Sequence, residues 1–595
     1  MNVKTFATVF HDVAHLNNSE GPSYNVFEPK FQARDQMTTL RDTVVKLNTE
    51  SPSLKALQQI TLCLCFNAVN MIDTEEDEEA LGVLQVAYAI MMRCVTKELT
   101  PDISTVKKTP MEDIKKAIAD GKHPLEDQDT HEGSVAYVTV MNALGYYFSL
   151  TSGPLAKDTL ELAEKCYVDW NASFEKEETN PSLLDLTIDS DGRLVEGETD
   201  GEESTPARVR FEMENAYTST LFFLAQVYGP LGQPMARPCH LTVYRQLLLK
   251  REYSPVVWAD NVIQLSSYYC QMALFGKAFH CLLAGKHVMP VDDDAEKTTG
   301  KVALAFGTFY VSVLSYYGEL YATEKGKTES EADSVELQWV GQYWVDFPGV
   351  PKAESFEPVT NFEQARAIFK EGLKWLHDAA AIYTFEDQCI THISILRYMS
   401  QLYAALGHFE ADRNRGIAMI QRQIALVDKL PEQLNFNAYP TDYRQLLLDL
   451  GELYMNMLEL RGQQRRFPTE GEVPLKDGAY NTLVDRTVNY FKEFCDTWCD
   501  PRTKVIPDVL NEDDRLPYFT ALMRLAQAQL RYITKSPMAE YENFGVAIDR
   551  FKKVIDFAKA NQMPEDKIKK ELDVAEQLVS VLTAKREGAA QRAMT

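Results

Sequence analysis

Five segments of the chain share one spacing of large and small residues. In "YTSTLFFLAQVYGPLGQ", residues 217–233, large side chains stand at Leu221, Leu224 and Tyr228 and a small one at Ala225. Offsets of three, four and seven lie on one helix face, and the glycines and proline that follow predict the helix end. The four further sets are Met141, Leu144, Gly145 and Phe148; Val262, Leu265, Ser266 and Tyr269; Leu396, Met399, Ser400 and Tyr403; and Leu447, Leu450, Gly451 and Tyr454.

This spacing is typical of helix-pair repeats of the tetratricopeptide kind, in which the small residue lets the second helix of a pair approach closely. The third set extends furthest: Ala278, Leu282, Gly285 and Pro290 occupy the second-helix and terminating positions. The pattern therefore predicts an all-α fold, a tetratricopeptide-like helical-repeat solenoid whose concave groove binds a protein segment or domain. An ordinary helical bundle, in which the small residues coincide by chance, is the alternative.

The rest of the chain has the same helical period, and alternating runs typical of strands are nearly absent. With 595 residues the chain exceeds what one hydrophobic core usually serves, so two or more domains or an elongated array are expected. Stretches rich in Asp, Glu, Gly, Pro and Ser predict loops or linkers. These stretches lie near 97–130, 174–208, 290–300, 325–360 and 463–480.

The formal net charge is −26, which disfavours nucleic acid and anionic membrane surfaces and favours a basic protein partner. An acidity that serves only solubility is the alternative. No run of 18 apolar residues is present, so we expect no membrane span. The first residues lack the features of a signal peptide, and ten scattered cysteines favour a reducing, cytosolic setting.

Motifs for catalysis or metal binding are incomplete. "HDVAH", residues 11–15, lacks the glutamate and the third ligand of a zinc-protease helix. "TIDSDGRLVEGE" has Thr187 where a calcium loop needs its first ligand, so we interpret it as a flexible acidic loop. The tripeptide "GKT" at 326–328 lacks the upstream glycine of a phosphate loop. The cysteine pairs at 63 and 65 and at 495 and 499 lack partners at zinc-site spacing. We therefore expect no enzyme activity, no cofactor and no metal.

Several stretches resemble the kinesin-binding protein (KIF-binding protein) family. They include "NMIDTEED" at 70–77, "YTSTLFFLAQVY" at 217–228, "YSPVVWADNVIQLSSYY" at 253–269, "FEQARAIF" at 362–369, "DYRQLLLDLGELYMNML" at 442–458 and "DPRTKVIPD" at 500–508. These stretches and the closing helix appear in the family's order over about residues 60–595. The resemblance implies two tetratricopeptide-like subdomains joined by a linker helix. It also implies a regulator that binds kinesin motor domains and blocks their attachment to microtubules.

From the resemblance and the helical pattern we expect four parts of the chain: an N-terminal extension (1–60), an N-terminal repeat subdomain (61–295), a linker helix and divergent loop (296–361), and a C-terminal repeat subdomain (362–595). We expect a cytoplasmic protein that reaches the cytoskeleton through its motor partner. The alternative is a general tetratricopeptide scaffold or transport adaptor that binds a peptide segment; a basic clamp for an acidic peptide terminus would favour it.

The inner face of the first helix in each pair should line the groove. Around the second and third sets this face holds Phe222, Gln226 and Ile263. The resemblance adds Phe223, Gln246, Asn261 and Gln264 as residues expected to meet the motor. A role in the core remains the alternative for the two phenylalanines and for the isoleucine. We expect Trp258 to pack between helix pairs, because a large aromatic contributes mainly through burial.

Overall fold

The computed structural model describes residues 3–19, 21–23, 25–124, 130–195, 205–251, 254–289, 295–323, 344–352, 357–469, 473–500, 502 and 505–594. Throughout these ranges the regular elements are helices, and an isolated antiparallel bridge joins Ile188 to Leu194. The all-α, helical-repeat prediction is therefore confirmed. Contacts divide the chain into two units, which are described separately.

Unit 1 comprises the described residues of Met1–Pro290 and Glu329–Glu354. Its helices are α1 (Val3–Asn17), α2 (Glu28–Glu50), α3 (Leu54–Asp73), α4 (Asp77–Thr96), α5 (Met111–Ala119), α6 (His131–Ser149), α7 (Gly153–Phe174), α8 (Pro206–Tyr228), α9 (Ala236–Leu249), α10 (Pro255–Gln271) and α11 (Phe275–Val288). Residues 344–352, here called the strap, form an irregular segment that belongs to the same unit.

Unit 2 comprises the described residues of Val291–Thr328 and Ser355–Thr595. Its helices are α12 (Ala295–Thr323), α13 (Phe362–Ile382), α14 (Phe385–Gly407), α15 (Arg413–Val427), α16 (Leu430–Gln433), α17 (Pro440–Arg466), α18 (Asp477–Asp496), α19 (Glu512–Gln529), α20 (Pro537–Ala560) and α21 (Glu565–Met594). The four-part division predicted from the sequence, with boundaries at 60, 295 and 361, stays a prediction.

The small residues of the repeat pattern mark close helix crossings. A methyl group added at Gly145 in α6 would lie 2.6 Å from Leu160 Cγ in α7. One added at Gly451 in α17 would lie 2.7 Å from Phe491 Cε1 in α18. Both glycines are buried, and van der Waals contact begins only near 3.5 Å, so a larger residue would force each pair apart. These two sets therefore pack as the repeat pattern predicts.

The first two helices of unit 2 pack through glycines contributed by both partners. A methyl group at Gly300 of α12 would lie 2.9 Å from Ile382 Cγ2, and one at Gly372 of α13 would lie 2.8 Å from Tyr310 Cβ. Small residues on both helices let the backbones approach, and large side chains from the opposite helix fill the space. Helix α12, which falls almost entirely in the stretch 296–361 predicted as a linker helix and divergent loop, thus packs against α13 within unit 2.

Helix α4 is long and apolar enough to cross a membrane when judged by length and composition alone. It packs against α3 and α6, and Leu84, Ala87, Met91 and Cys94 are fully buried in the core of unit 1. Its apolar character is therefore accounted for by contacts with its neighbouring helices.

One prediction about loops needs correction. The interruption predicted at 97–130 contains helix α5, whose Ile114 and Ile118 are buried one turn apart. The described part of the acidic stretch around Asp189 forms a turn over 187–195, and its flexibility stays a prediction. Asp189 Oδ1 accepts hydrogen bonds from the backbone N–H groups of Asp191 and Arg193 at 2.9 and 2.8 Å. A short aspartate often caps its own turn in this way. Residues 196–204 and the "GKT" motif lie outside the described residues.

Candidate partner-binding surface

Helix α8 carries three of the residues predicted to bind the partner. Thr205 caps the helix by accepting a hydrogen bond from the backbone N–H of Arg208 at 3.1 Å, and Pro206 occupies the first turn. Leu221 and Leu224 are fully buried and fix the rotation of the helix. That rotation leaves Phe222 exposed over 44% of its surface, with Gln226 also exposed one turn later.

Phe223 belongs to an aromatic ladder that leads away from α8. Its ring stacks on Tyr146 of α6 with centroids 5.3 Å apart, and Phe222 meets it edge-on at 5.6 Å. The Tyr146 hydroxyl donates to Asp73 Oδ1, the last residue of α3, at 3.0 Å. Burial and the Asp73 carboxylate raise the pKa of Tyr146 to about 12, so the phenol stays protonated as this hydrogen bond requires. Through Tyr146, the ladder connects both phenylalanines to the corner between α3 and α4.

That corner is strongly acidic and is here called the acidic corner, residues 73–79 ("DTEEDEE"). Two of its carboxylates are paired: Asp73 with Lys30, and Glu76 with Arg34 at 2.9 Å. The hydrogen bond from Arg34 lowers the pKa of Glu76. The other four acids, Glu75, Asp77, Glu78 and Glu79, are exposed. Neither Tyr146 nor this corner was predicted as part of the site, although 73–77 lie within the stretch "NMIDTEED" that resembles the family.

A buried ionic cluster holds α8 against α7 and α9. Glu214 is fully buried and contacts Arg210 Nη2 at 2.7 Å and Arg245 Nε of α9 at 3.1 Å. The hydroxyl of Tyr167 in α7 donates to the same carboxylate at 2.7 Å. The Tyr167 ring also stacks on Tyr217 with centroids 3.6 Å apart. A buried carboxylate with three donors tolerates little change of helix position, so the cluster fixes where α8 presents its exposed face.

A second carboxylate ties α8 to the helices beneath it. Glu212 lies 2.9 Å from Lys55 Nζ of α3 and 3.3 Å from His131 Nε2 of α6, and it accepts from Gln58 at 3.1 Å. Burial alone would raise the pKa of Glu212, but hydrogen bonds and charge from His131 and Lys55 outweigh burial and hold the pKa at about 2. The carboxylate therefore stays ionised over the whole neutral range.

The other predicted residues lie on α9 and α10. Gln246 is half-buried, and Asn261 and Gln264 are exposed one turn apart on α10. Ile263 is half-buried, and a methyl group added to Gly285 of α11 would lie 3.2 Å from its Cγ1, so part of its surface serves the α10–α11 contact. Among the seven, the structure shows a ring contact between Phe222 and Phe223. The partner-binding roles of all seven stay predictions.

Trp258 lies between helices as expected. It is buried, and its indole N–H donates to the Val243 carbonyl of α9 at 2.8 Å. The predicted packing role is therefore confirmed. In the part of the chain that the structure describes, no group of three or more His, Cys, Asp or Glu side chains could hold a metal ion.

Most of the sequence is similar to proteins of one family. The profile of the family described as KIF-1 binding protein C terminal matches residues 256–587. KIF-binding protein of Mus musculus is 26% identical over 496 residues, 76% of this chain and 77% of its own length. KIF-binding protein of Danio rerio is 26% identical over 501 residues, 77% of this chain and 76% of its own length. The cryo-EM structure of KIFBP aligns over 100% of both chains at 18% identity with a TM-score of 0.51, which shows a shared fold. Because the profile spans more than half of the chain, this protein belongs to the KIF-binding protein family.

Proposed function

We propose that the protein binds kinesin motor domains and blocks their attachment to microtubules, and so controls microtubule-based transport. Family membership and the names of the relatives support kinesin as the partner. The observation that carries the finer proposal is the aromatic ladder, because it connects the exposed Phe222, through Phe223 and Tyr146, to the acidic corner with its four exposed carboxylates.

This combination of groups fits the microtubule-facing side of a motor. Microtubules are acidic, so the motor surface that meets them must be basic. Exposed carboxylates attract such a surface at long range, and an exposed aromatic ring provides contact area once it arrives. A motor held in this way has its track-binding surface covered. Binding to the protein and binding to the microtubule are then mutually exclusive.

Occlusion of this kind requires no catalytic group, and we propose that the protein is a non-enzymatic regulator. We place it in the cytoplasm, associated with the cytoskeleton through its motor. A scaffold that clamps an acidic peptide terminus is less well supported, because it needs available cations. Arg210 and Arg245 pair with Glu214, and Arg237 pairs with Glu164 inside the fold.

The test is co-sedimentation of several purified kinesin motor domains with microtubules at increasing concentrations of the protein. We expect motor pelleting to fall with saturation for at least one class, and a soluble complex to form. Phe222→Ala should raise the concentration required, whereas the wild-type protein should not pellet with microtubules alone. Undiminished pelleting of every class at saturating protein would refute the proposal.

A further inference from the structure

The strap (344–352) returns to unit 1 after the chain has already formed α12, and it lies against α9, α10 and α11. Within the strap, Phe347 is only 1% exposed. The Phe347 ring stacks on His280 of α11 with centroids 5.6 Å apart and an interplanar angle of 10°. It also contacts His240 of α9 at 5.1 Å and meets Trp258 of α10 edge-on at 5.6 Å. One side chain of the strap thus contacts all three helices.

The strap backbone is held by two histidines. His280 Nδ1 donates to the Pro351 carbonyl at 2.8 Å, and its Nε2 accepts from the backbone N–H of Phe347 at 2.9 Å. This pattern requires a neutral imidazole with its hydrogen on Nδ1. His240 Nε2 donates to the Val345 carbonyl at 2.8 Å. Hydrogen bonds from α9 and α11 therefore fix the register of the segment as well as its position.

A second aromatic anchor begins the strap. The Trp344 ring lies 4.1 Å from His240 and 5.5 Å from Tyr269 of α10, and Lys277 Nζ lies 4.2 Å from its centroid. The indole N–H donates to Asp346 Oδ1 at 2.6 Å within the strap itself. Two anchors and three backbone hydrogen bonds are the features by which a groove binds an extended peptide. The groove between α9 and α11 is thus filled by the protein's own chain.

Two of the helices joined by the strap carry residues predicted to bind the partner: Gln246 lies on α9, and Asn261 and Gln264 lie on α10. We propose that Phe347 and Trp344 are positioning residues for partner binding, which set the arrangement of α9 and α10 without touching the partner. This inference rests on the proposed function. Its physical basis is that binding gains from a surface already ordered in the bound arrangement, because less conformational freedom is then lost on association.

The test measures the affinity of a kinesin motor domain for Phe347→Ala and for Trp344→Ala at a temperature where each variant is folded. Trp344 is half-buried, so its replacement keeps the test available if Phe347→Ala fails to fold. The matched control is Phe6→Ala, which removes an equally large buried ring from α1, a helix that packs on α2. We expect each strap variant to bind at least about tenfold more weakly and the control to bind as the wild type does.

A double-mutant cycle separates positioning from general loss of structure. Phe347→Ala should couple with Gln246→Ala and with Gln264→Ala, so that each double variant loses less affinity than the product of the two single losses. Phe347→Ala should not couple with Phe222→Ala on α8, so that the two single losses of affinity multiply. Hydrogen exchange should rise in α9–α11 and stay unchanged in α1–α4. Wild-type affinity in both folded strap variants, equal losses in the Phe6 control, or the absence of coupling would each overturn the inference. If the wild-type protein binds no motor at all, the proposed function fails instead, and the exchange data alone then decide whether the strap orders α9–α11.

Discussion

At the scale of single residues, the space around a small side chain shows whether two helices cross closely there. Gly145 and Gly451 are buried against large side chains of the next helix, whereas Ala225, at the same position of its set, is half-buried. The flanking Leu221 and Leu224 are fully buried, so the helical register read from the sequence is right. The spacing of residues predicts which face is buried. It leaves open how near the next helix comes, because that depends on side chains elsewhere in the chain.

Gly145→Ala should destabilise unit 1 by about 1–3 kcal/mol, because the added methyl group would overlap the buried Leu160 side chain. Gly407→Ala at the end of α14 is the matched control. A methyl group there has no atom within 4 Å, so this variant should be unchanged or more stable by up to about 1 kcal/mol. Calorimetric unfolding of both variants measures the difference, and equal melting would contradict the close crossing.

Phe222→Ala should weaken motor binding while leaving the melting temperature nearly unchanged, because 44% of the side chain is exposed. Phe223→Ala should lower both the motor affinity and the melting temperature, because it also removes the ring stacked on Tyr146. Such a contact contributes about 0.5–1.5 kcal/mol beyond burial. Affinity and melting temperature measured on the same preparations separate the two roles. A loss of stability in Phe222→Ala equal to that in Phe223→Ala would show that both are core residues.

At the scale of elements, long helices could be predicted and the strap could not. Helices α6, α8, α10 and α17 each contain apolar residues at helical spacing, so sequence alone places them. The strap lies in the stretch 325–360, which is predicted as a loop or linker from its Asp, Glu, Gly, Pro and Ser content. Gly349 within it adopts a positive φ of 76°. The groove that binds the strap is formed by residues such as His240 and His280, about 70 to 100 positions earlier. No local pattern records such a distant contact.

The histidines make the docking of the strap sensitive to acid. Burial lowers the pKa of His240 from 6.5 to about 4, and it also lowers the pKa of His280. The unfolded chain therefore binds a proton below about pH 6.5 that folded His240 does not take up until about pH 4. His240 should therefore leave the free energy of unfolding unchanged above pH 6.5 and lower it by up to about 3 kcal/mol as the pH drops to 4.

His240→Gln isolates this effect, since glutamine can still donate to the Val345 carbonyl but does not titrate. The stability difference between the wild-type protein and this variant should shrink as the pH falls from 7.5 to 5. Chemical denaturation at several pH values measures it. A difference that stays constant with pH would mean that the pKa of His240 is the same in the folded and the unfolded protein.

At the scale of the whole molecule, the net charge of −26 is unevenly distributed. Residues 206–271, which span α8–α10, contain six cationic and four anionic side chains, so the acidity lies elsewhere. The acidic corner contributes six carboxylates in seven positions, four of them exposed. A sequence-wide charge therefore indicates the sign of the partner. The location of the attraction depends on the fold, which connects residues 73–79 to Phe222 and Phe223 through Tyr146.

Replacing Glu75, Asp77, Glu78 and Glu79 with their amides should slow association with the motor at low salt and change dissociation little, because rim charges act on encounter. The slowing of association should become smaller toward physiological salt, where screening shortens the range of interactions between exposed charges to about 8 Å. The control removes four exposed acids from α21 of unit 2: Glu571, Asp573, Glu576 and Glu587. Stopped-flow rates for both variants give the comparison. Equal slowing would mean that net charge alone guides the encounter.

The return of the strap to unit 1 also sets the order in which the protein can be completed during synthesis. A ribosome that has made residues 1–290 has synthesised every helix of unit 1 but not the segment that fills the groove between α9 and α11. Domains generally fold from the N-terminus as the chain emerges. Until residue 352 is available, the nascent unit keeps His240, Trp258 and His280 uncovered, and a chain that stops at the last helix of unit 1 never covers them. Unit 1 can therefore finish folding only during the second half of translation.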